Sequence, residues 1–319
     1  MTADSSSERG GRDRRVIDAM IAGAQKAGTS SLRRYVGQHP QIGTHSQREF
    51  TYFVVDREFR SPYPDVLDDS FPASVRERDV LLAKSAGIMY VPDALDRLRR
   101  HNPGCKLIVS LRNPVDRAYS AYWYMRRKGR ETARSFEEAL EMHGRGDRET
   151  GWRGSQLAYL ARGEYADQLE RMSEAFGREH WKAVLLEDLR RDAVGVCREL
   201  FRHLGVDPAF EPRTERRHNP SKAPRAEFVS RLVVADNPLR RALGRLVPRS
   251  WKRTMRHLVE KVNERPFEPP PMKPETRERL VEHFRPHNER LERILGRDLS
   301  AWNRVEMAEG VDGRVGEEG

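Results

Sequence analysis

Cysteine is nearly absent from this chain: Cys105 and Cys197 are the only two in 319 residues. Two thiols cannot build a disulfide framework, and neither falls in a Cys-x-x-Cys or Cys/His spacing, which excludes a stapled secreted mini-domain and a zinc-ribbon type of site. Free buried thiols in a reducing, cytoplasmic setting are the expected state. Long apolar runs are missing as well, so no integral membrane association is expected. Residues 16–24, behind Arg14-Arg15, have the outline of a signal peptide. Asp18 interrupts that run, however, and cleavage after Ala24 would destroy a glycine-bounded loop, so the segment reads as a core strand. Internal repeats are also lacking, and no linker cleanly splits the chain.

What is present is charge. Charged residues make up 34% of the chain against 37% hydrophobic, and Lys+Arg exceed Asp+Glu by 59 − 49 = +10. Such an excess favours an anionic ligand, whether nucleotide, nucleic acid, acidic saccharide or membrane surface, without choosing among them. Residues 1–15 are Ser-, Gly- and Arg-rich and 306–319 Gly- and Glu-rich, so both read as disordered ends. One domain over 16–305 is expected between them. Strands are expected at 16–22, 106–111 and 181–186, with a fourth at 81–84. Helices are expected at 30–38, 91–101, 114–128, 156–176 and 193–204. This alternation argues for an α/β fold, a central parallel sheet flanked by helices. No strand is convincing after residue 205. There the pattern gives basic amphipathic helices over 226–261, a Pro-rich connector at 266–274 and a last amphipathic helix at 275–296. The helical C-terminal region carries eight Lys/Arg between residues 236 and 261, which reads as a lid with a solvated basic face.

The most informative segment runs from Ile21 to Val36, an apolar strand entering a loop bounded by Gly23 and Gly28 and then an amphipathic helix. Backbone N–H groups at such a loop and helix start suit a phosphate-like anion. The loop is nearly a Walker A sequence, but Thr29 stands where the P-loop lysine belongs, and Lys26 sits inside the loop. A lysine there can lean on a bridging oxygen rather than reach a γ-phosphate. A second constellation follows the strand at 106–111. Arg112 closes it, Asn113 is a candidate N-cap, Pro114 suits a first helical turn, and Ser120 lies about two turns in. Arg112 and Ser120 could together hold one phosphate.

The two constellations resemble the nucleotide signatures of sulfotransferases that use 3′-phosphoadenosine-5′-phosphosulfate (PAPS), in the bacterial branch akin to heparan sulfate sulfotransferases. Further similarity is carried by Arg48-Glu49-Phe50-Thr51-Tyr52-Phe53, Lys84-Ser85, Gly163-Glu164-Tyr165, residues 185–189 and Asn219-Pro220-Ser221-Lys222. The resemblance implies a P-loop-like sulfotransferase fold, PAPS as co-substrate and 3′-phosphoadenosine 5′-phosphate (PAP) as product. It implies that Gly23, Lys26, Ala27, Gly28, Thr29, Ser30 and Ser31 cradle the 5′-phosphosulfate and that Arg112 and Ser120 hold the 3′-phosphate. Lys222 and Arg225, in a basic loop, are implied to close over the nucleotide. Charge grows on the leaving 5′-phosphate oxygen during sulfuryl transfer, and Lys26 with the helix start suits its neutralisation. No metal is required in that scheme, and Arg112 replaces a Walker B acid.

By the same resemblance Glu49 is the general base, though Arg48 stands where Lys is common and Thr51-Tyr52 where His-Phe is usual. His45 is the rival base, and Lys84 is implied to lie near the sulfuryl group. Tyr165 and Trp123 could face adenine or acceptor, or simply fill the core. The acceptor is expected to be a small molecule, glycan or lipid, shaped for by residues 54–79 and 128–155. Two other classes remain at this stage: a kinase or NTPase with a degenerate P-loop, and a basic nucleic-acid-binding protein. No RRM, helix-turn-helix, KH or zinc spacing supports the latter, so no nucleic acid is expected as partner. The pattern leaves the oligomeric state open.

Overall fold

A computed structural model describes residues 15–144, 151–214, 222–224, 264–266 and 269–305. The expected disordered ends, apart from residue 15, together with Arg225 and the basic segment 226–261, lie outside the described residues. In chain order the elements are β1 (Ala19–Gly23), α1 (Thr29–Val36), β2 (Ile42–Thr44), α2 (Asp56–Phe59), α3 (Tyr63–Ser70), α4 (Ala73–Arg76), β3 (Val80–Lys84), α5 (Pro92–His101) and β4 (Lys106–Leu111). They continue with α6 (Pro114–Arg127), α7 (Phe136–Gly144), α8 (Gly151–Ser155), α9 (Tyr165–Phe176), β5 (Trp181–Leu185), α10 (Leu186–Arg191) and α11 (Ala193–Leu204). A short β6 (Lys222–Pro224), β7 (Glu264–Pro266) and the long α12 (Pro274–Leu295) complete the set. The chain forms two compact units: Met1–Arg112 with Asp167–Arg216, and Asn113–Ala166 with Arg217–Gly319.

The first unit is built on a five-stranded sheet of order β2-β3-β1-β4-β5 in which every pairing is parallel. Parallel strands are covered on both faces and so read as unbroken apolar runs. That is why every residue of β1 (Ala-Met-Ile-Ala-Gly) and of β3 (Val-Leu-Leu-Ala-Lys) is buried. The chain winds from β1 out to β2, returns to β3 beside β1, then crosses to β4 on the other side. β1 is therefore the switch point, and the carboxyl end of its strand is where this architecture leaves a crevice for a ligand. Leu32, Tyr35 and Val36 of α1 pack with Cys197, Leu200, Phe201 and Leu204 of α11 in one core with Ala19, Ile21 and Ile108 of the sheet. Both cysteines are free and buried, as expected.

The second unit is helical around Val115, Ala118, Tyr122 and Met125 of α6, packed with Phe136, Tyr159, Leu280 and Phe284. The expected caps of α6 are present: Pro114 opens the helix and the Asn113 side chain accepts from Val115 N–H at 3.0 Å. Three expectations are corrected. The single helix at 156–176 is instead a 3₁₀ turn at Ala161–Gly163 followed by α9, because a bare Gly163 lets the Phe284 ring pack where a Cβ would sit 2.8 Å away. The chain beyond residue 205 is not strand-free: β6 and β7 pair antiparallel, Lys222 opposite Pro266. Both are three residues long and contain proline, so no alternation marks them. Irregular segments at 54–79 and 128–155 contain α2 to α4 and α7 to α8.

Gly28 is the one loop position where both backbone and space demand glycine. Its φ is +84°, and a Cβ there would lie 2.6 Å from Leu186 Cδ1. Gly28→Ala is expected to cost about 1–3 kcal/mol, the range for a strained left-handed residue. Urea denaturation giving an unchanged midpoint would contradict the close approach of Gly28 to Leu186 of α10.

Candidate active site

The loop after β1 is tied to the neighbouring strand at both ends. Ala24 N–H donates to Ser110 C=O at 2.7 Å, and Ser110 Oγ donates to Ala27 C=O at 2.5 Å. Ser110 sits at 0% exposure inside β4, so the loop is anchored from beneath rather than by its own side chains. Lys26 adopts φ +68°, a left-handed conformation uncommon outside glycine. Lys26, Gly28 and Ser31 are half-buried, Ala27 and Thr29 are buried, and Ser30 is exposed. Gly23 is held close to Met89, whose sulfur occupies the space a Cβ would need. Helix α1 starts directly behind, with no side chain capping its first N–H groups. Those N–H groups and the helix dipole favour an anion in front of Gly28–Ser30.

Three of the sequence-predicted residues converge beside this helix start. Lys84, the last residue of β3, is paired to Glu49 Oε1 at 2.7 Å and lies 3.3 Å from Ser30 Oγ. Glu49's second oxygen accepts from Ala86 N–H at 3.1 Å. The Lys84 side chain is 1% exposed while Glu49 keeps 35%, so the carboxylate faces outward and the ammonium is sealed beneath it. Burial pulls the Lys84 ammonium below its usual range, and the Glu49 charge opposes that shift. Glu49 itself is carried on a segment pinned by Phe50 N–H donating to Lys84 C=O at 2.8 Å. Phe50 packs edge-on against Phe71 and Phe53, each about 5.8–5.9 Å away between centroids.

Two further residues position this group, only one of which the sequence had singled out. His45 is buried, and its Nε2 accepts from Lys84 N–H at 3.0 Å. Burial, then the Arg33 and Lys84 charges, push its pKa down to about 3. It supports the backbone of Lys84 and does not face outward as Glu49 does. Arg33 on α1 donates to His45 C=O at 2.6 Å and Gln47 C=O at 3.0 Å, bracing the segment that delivers Glu49. Nothing in the residue pattern of α1 marked Arg33 for this, since its partners are carbonyls from another segment.

The remaining candidates are distributed as follows. Arg112 follows β4 directly and is half-buried; it closes the first unit, at the same end of the sheet as the loop. Ser120 is a half-buried residue of α6 in the second unit. Lys222 lies in β6, where the backbone alone is described, and Arg225 is outside the described residues. Tyr165 is buried and packs on Trp302 at 6.4 Å, and Trp123 packs on Tyr119 and Tyr122; both fill the core of the second unit. Among the described residues no helix is long and apolar enough to cross a membrane.

The sulfotransferase domain family matches residues 17–234. A crystal structure of a sulfotransferase from Alicyclobacillus acidocaldarius superposes with a TM-score of 0.64 at 30% identity, over 90% of this chain and 98% of that one. The human bifunctional heparan sulfate N-deacetylase/N-sulfotransferase 3 is 28% identical over 299 residues, 90% of this chain but only 31% of that protein. The chain thus spans about a third of the length of those bifunctional relatives. The human heparan sulfate glucosamine 3-O-sulfotransferase 6 is 26% identical over 290 residues, 74% of its length.

Buried His45 and half-buried His101 make stability depend on pH. His45 is pushed to about 3 and His101 to about 4, both chiefly by burial. Between those values and the unfolded value of 6.5, the unfolded chain binds protons that the folded chain does not. Stability therefore rises with pH across that window and is lost as pH falls through it, by up to about 1.4 kcal/mol per pH unit for His45 and by less for the half-buried His101. Urea denaturation between pH 4.5 and 7 is expected to show this slope, made shallower in His45→Gln. A His45→Gln slope equal to wild type would refute the neutral, buried state of His45.

Proposed function

This chain belongs to the sulfotransferase domain family, and we propose that it moves the sulfuryl group of PAPS to a hydroxyl, or an amine, of a saccharide, lipid or natural-product acceptor, releasing PAP. The observation that carries this reading is the placement of Glu49, Lys84 and Ser30 around the uncapped start of α1. One edge of the group can take a proton and the other can face a leaving phosphate. The named activities of the heparan relatives make a glucosamine-containing saccharide the acceptor class of first choice.

In this scheme Glu49 accepts the acceptor's O–H proton as its oxygen bonds to sulfur. Lys84 and Ala86 N–H each hold one oxygen of the carboxylate and so aim it. The bond from sulfur to the 5′-phosphate oxygen breaks on the opposite side, and the electron pair stays with PAP. Lys26 and the amides of Gly28, Thr29 and Ser30 take up that charge, with Ala27, Gly23 and Ser31 shaping the loop around it. Arg112 binds the 3′-phosphate, which fixes the nucleotide. His45 is assigned a supporting role instead of the base, because its acceptor nitrogen is already used by Lys84 N–H.

Single-turnover assays with PAPS and a heparan-type oligosaccharide test both halves of this assignment. Lys26→Ala is expected to lower kcat by about a hundredfold or more, because its contact strengthens only as charge develops. Glu49→Gln is expected to cost roughly 10²–10⁴-fold with PAP binding retained. Retention of more than about half the wild-type kcat by Lys26→Ala, or a larger defect in His45→Ala than in Glu49→Gln, would overturn the roles given.

A further inference from the structure

Outside the residues assigned to transfer, the second unit gathers, among the described residues, one unassigned set of metal-ligating side chains. His283 and His287 lie four residues apart on α12, so both project from one helix face. Glu164, between the 3₁₀ turn and α9, brings its Oε1 to 3.4 Å from His283 Nε2. One ligand atom from each of the three lies within 4.8 Å of the others. The geometry points to a divalent transition-metal site of the zinc class, held by Glu164, His283 and His287.

Four observations carry it. Imidazole and carboxylate donors in a two-to-one ratio suit Zn²⁺, with a fourth position left for water. A tetrahedral ion with arms of about 2.1 Å separates its ligands by about 3.4 Å, the distance found between Glu164 and His283. His283 Nε2 is buried yet has no hydrogen-bond partner, so the Glu164 oxygen beside it is not aligned as an acceptor. A metal would satisfy that nitrogen. Finally, the set is positioned by packing. Phe284 is 0% exposed and its ring rests on Gly163, the residue before Glu164, while His283 sits edge-on to Phe284 at 4.8 Å.

The site's place in the helix indicates a structural use. Pro286 lies inside α12 between the two histidines, so the helix lacks the hydrogen bond from residue 286 to Glu282 C=O. A metal bridging His283 and His287 spans that weakened turn and ties it to Glu164. The residue after His283 is Phe284 rather than the glutamate that serves as base in hydrolytic His-Glu-x-x-His sites, so no hydrolysis is assigned to it.

The test is titration of the chelator-treated full chain with Zn²⁺ alone, read by calorimetry and by thermal unfolding, with Co²⁺ as a spectroscopic probe. Wild type and the control His180→Ala are expected to bind one ion per chain at this site, unfold at higher temperature when loaded, and give the visible bands of four-coordinate Co²⁺. Glu164→Gln and His287→Ala are expected to bind about tenfold or more weakly and to lose both the thermal shift and the Co²⁺ bands. Absence of binding in wild type at micromolar Zn²⁺, or affinity unchanged in both ligand variants, would overturn the proposal.

Discussion

A lysine sealed at the end of a central strand must be paired, because an isolated ammonium in a protein interior is far costlier than the strand's packing can offset. Lys84 is that lysine, and much of the first unit answers to its pairing. Glu49 reaches it at 2.7 Å, which requires the segment after β2 to fold back over the carboxyl end of β3. Phe50 and its aromatic neighbours anchor that segment, His45 accepts the Lys84 N–H, and Arg33 ties the same stretch to α1, the helix that follows the glycine-bounded loop. The ion pair therefore joins sheet, helix start and outward-facing carboxylate in one polar group. Removing either partner leaves the other's charge uncompensated, which makes the pair a constraint on structure as well as a resource for chemistry.

The loop beside it derives its shape from a different source. Its apolar and small residues let β1 end against Met89, Leu186 and Ser110 with little space to spare. Lys26 is held in a left-handed conformation, the sort of local strain that is tolerated where the surroundings over-determine the backbone. The lysine lies inside the loop and not at its helix end, where Thr29 stands, which sets this loop apart from a Walker A sequence.

Much of the sheet was legible from residue pattern alone. The strands at 106–111 and 181–185 are short, mostly apolar runs, broken only by Lys106, Ser110 and Lys182, as suits parallel pairing in a covered sheet. The N-cap at Asn113 and the glycine loop follow from local chemistry. β2, β6 and β7 were not legible, because three residues give no periodicity and their pairing is set by distant segments. In the site, Glu49 and Lys84 were found through similarity to a family, whereas their contact, 35 residues apart in sequence, is a tertiary fact. Arg33 was invisible for the same reason, as were the Glu164, His283 and His287 set, whose members come from separate turns of the chain.

The most direct test is nucleotide selectivity, measured calorimetrically on the full chain without added divalent cation. A site that combines a phosphosulfate loop with a cation-lined 3′-phosphate position should bind PAP more tightly than adenosine 5′-monophosphate by roughly ten- to hundredfold, the worth of one charge-assisted contact. ATP with Mg²⁺ should bind more weakly than PAP. Tighter binding of Mg²⁺-ATP than of PAP would contradict the account at its centre and assign the loop to phosphoryl transfer.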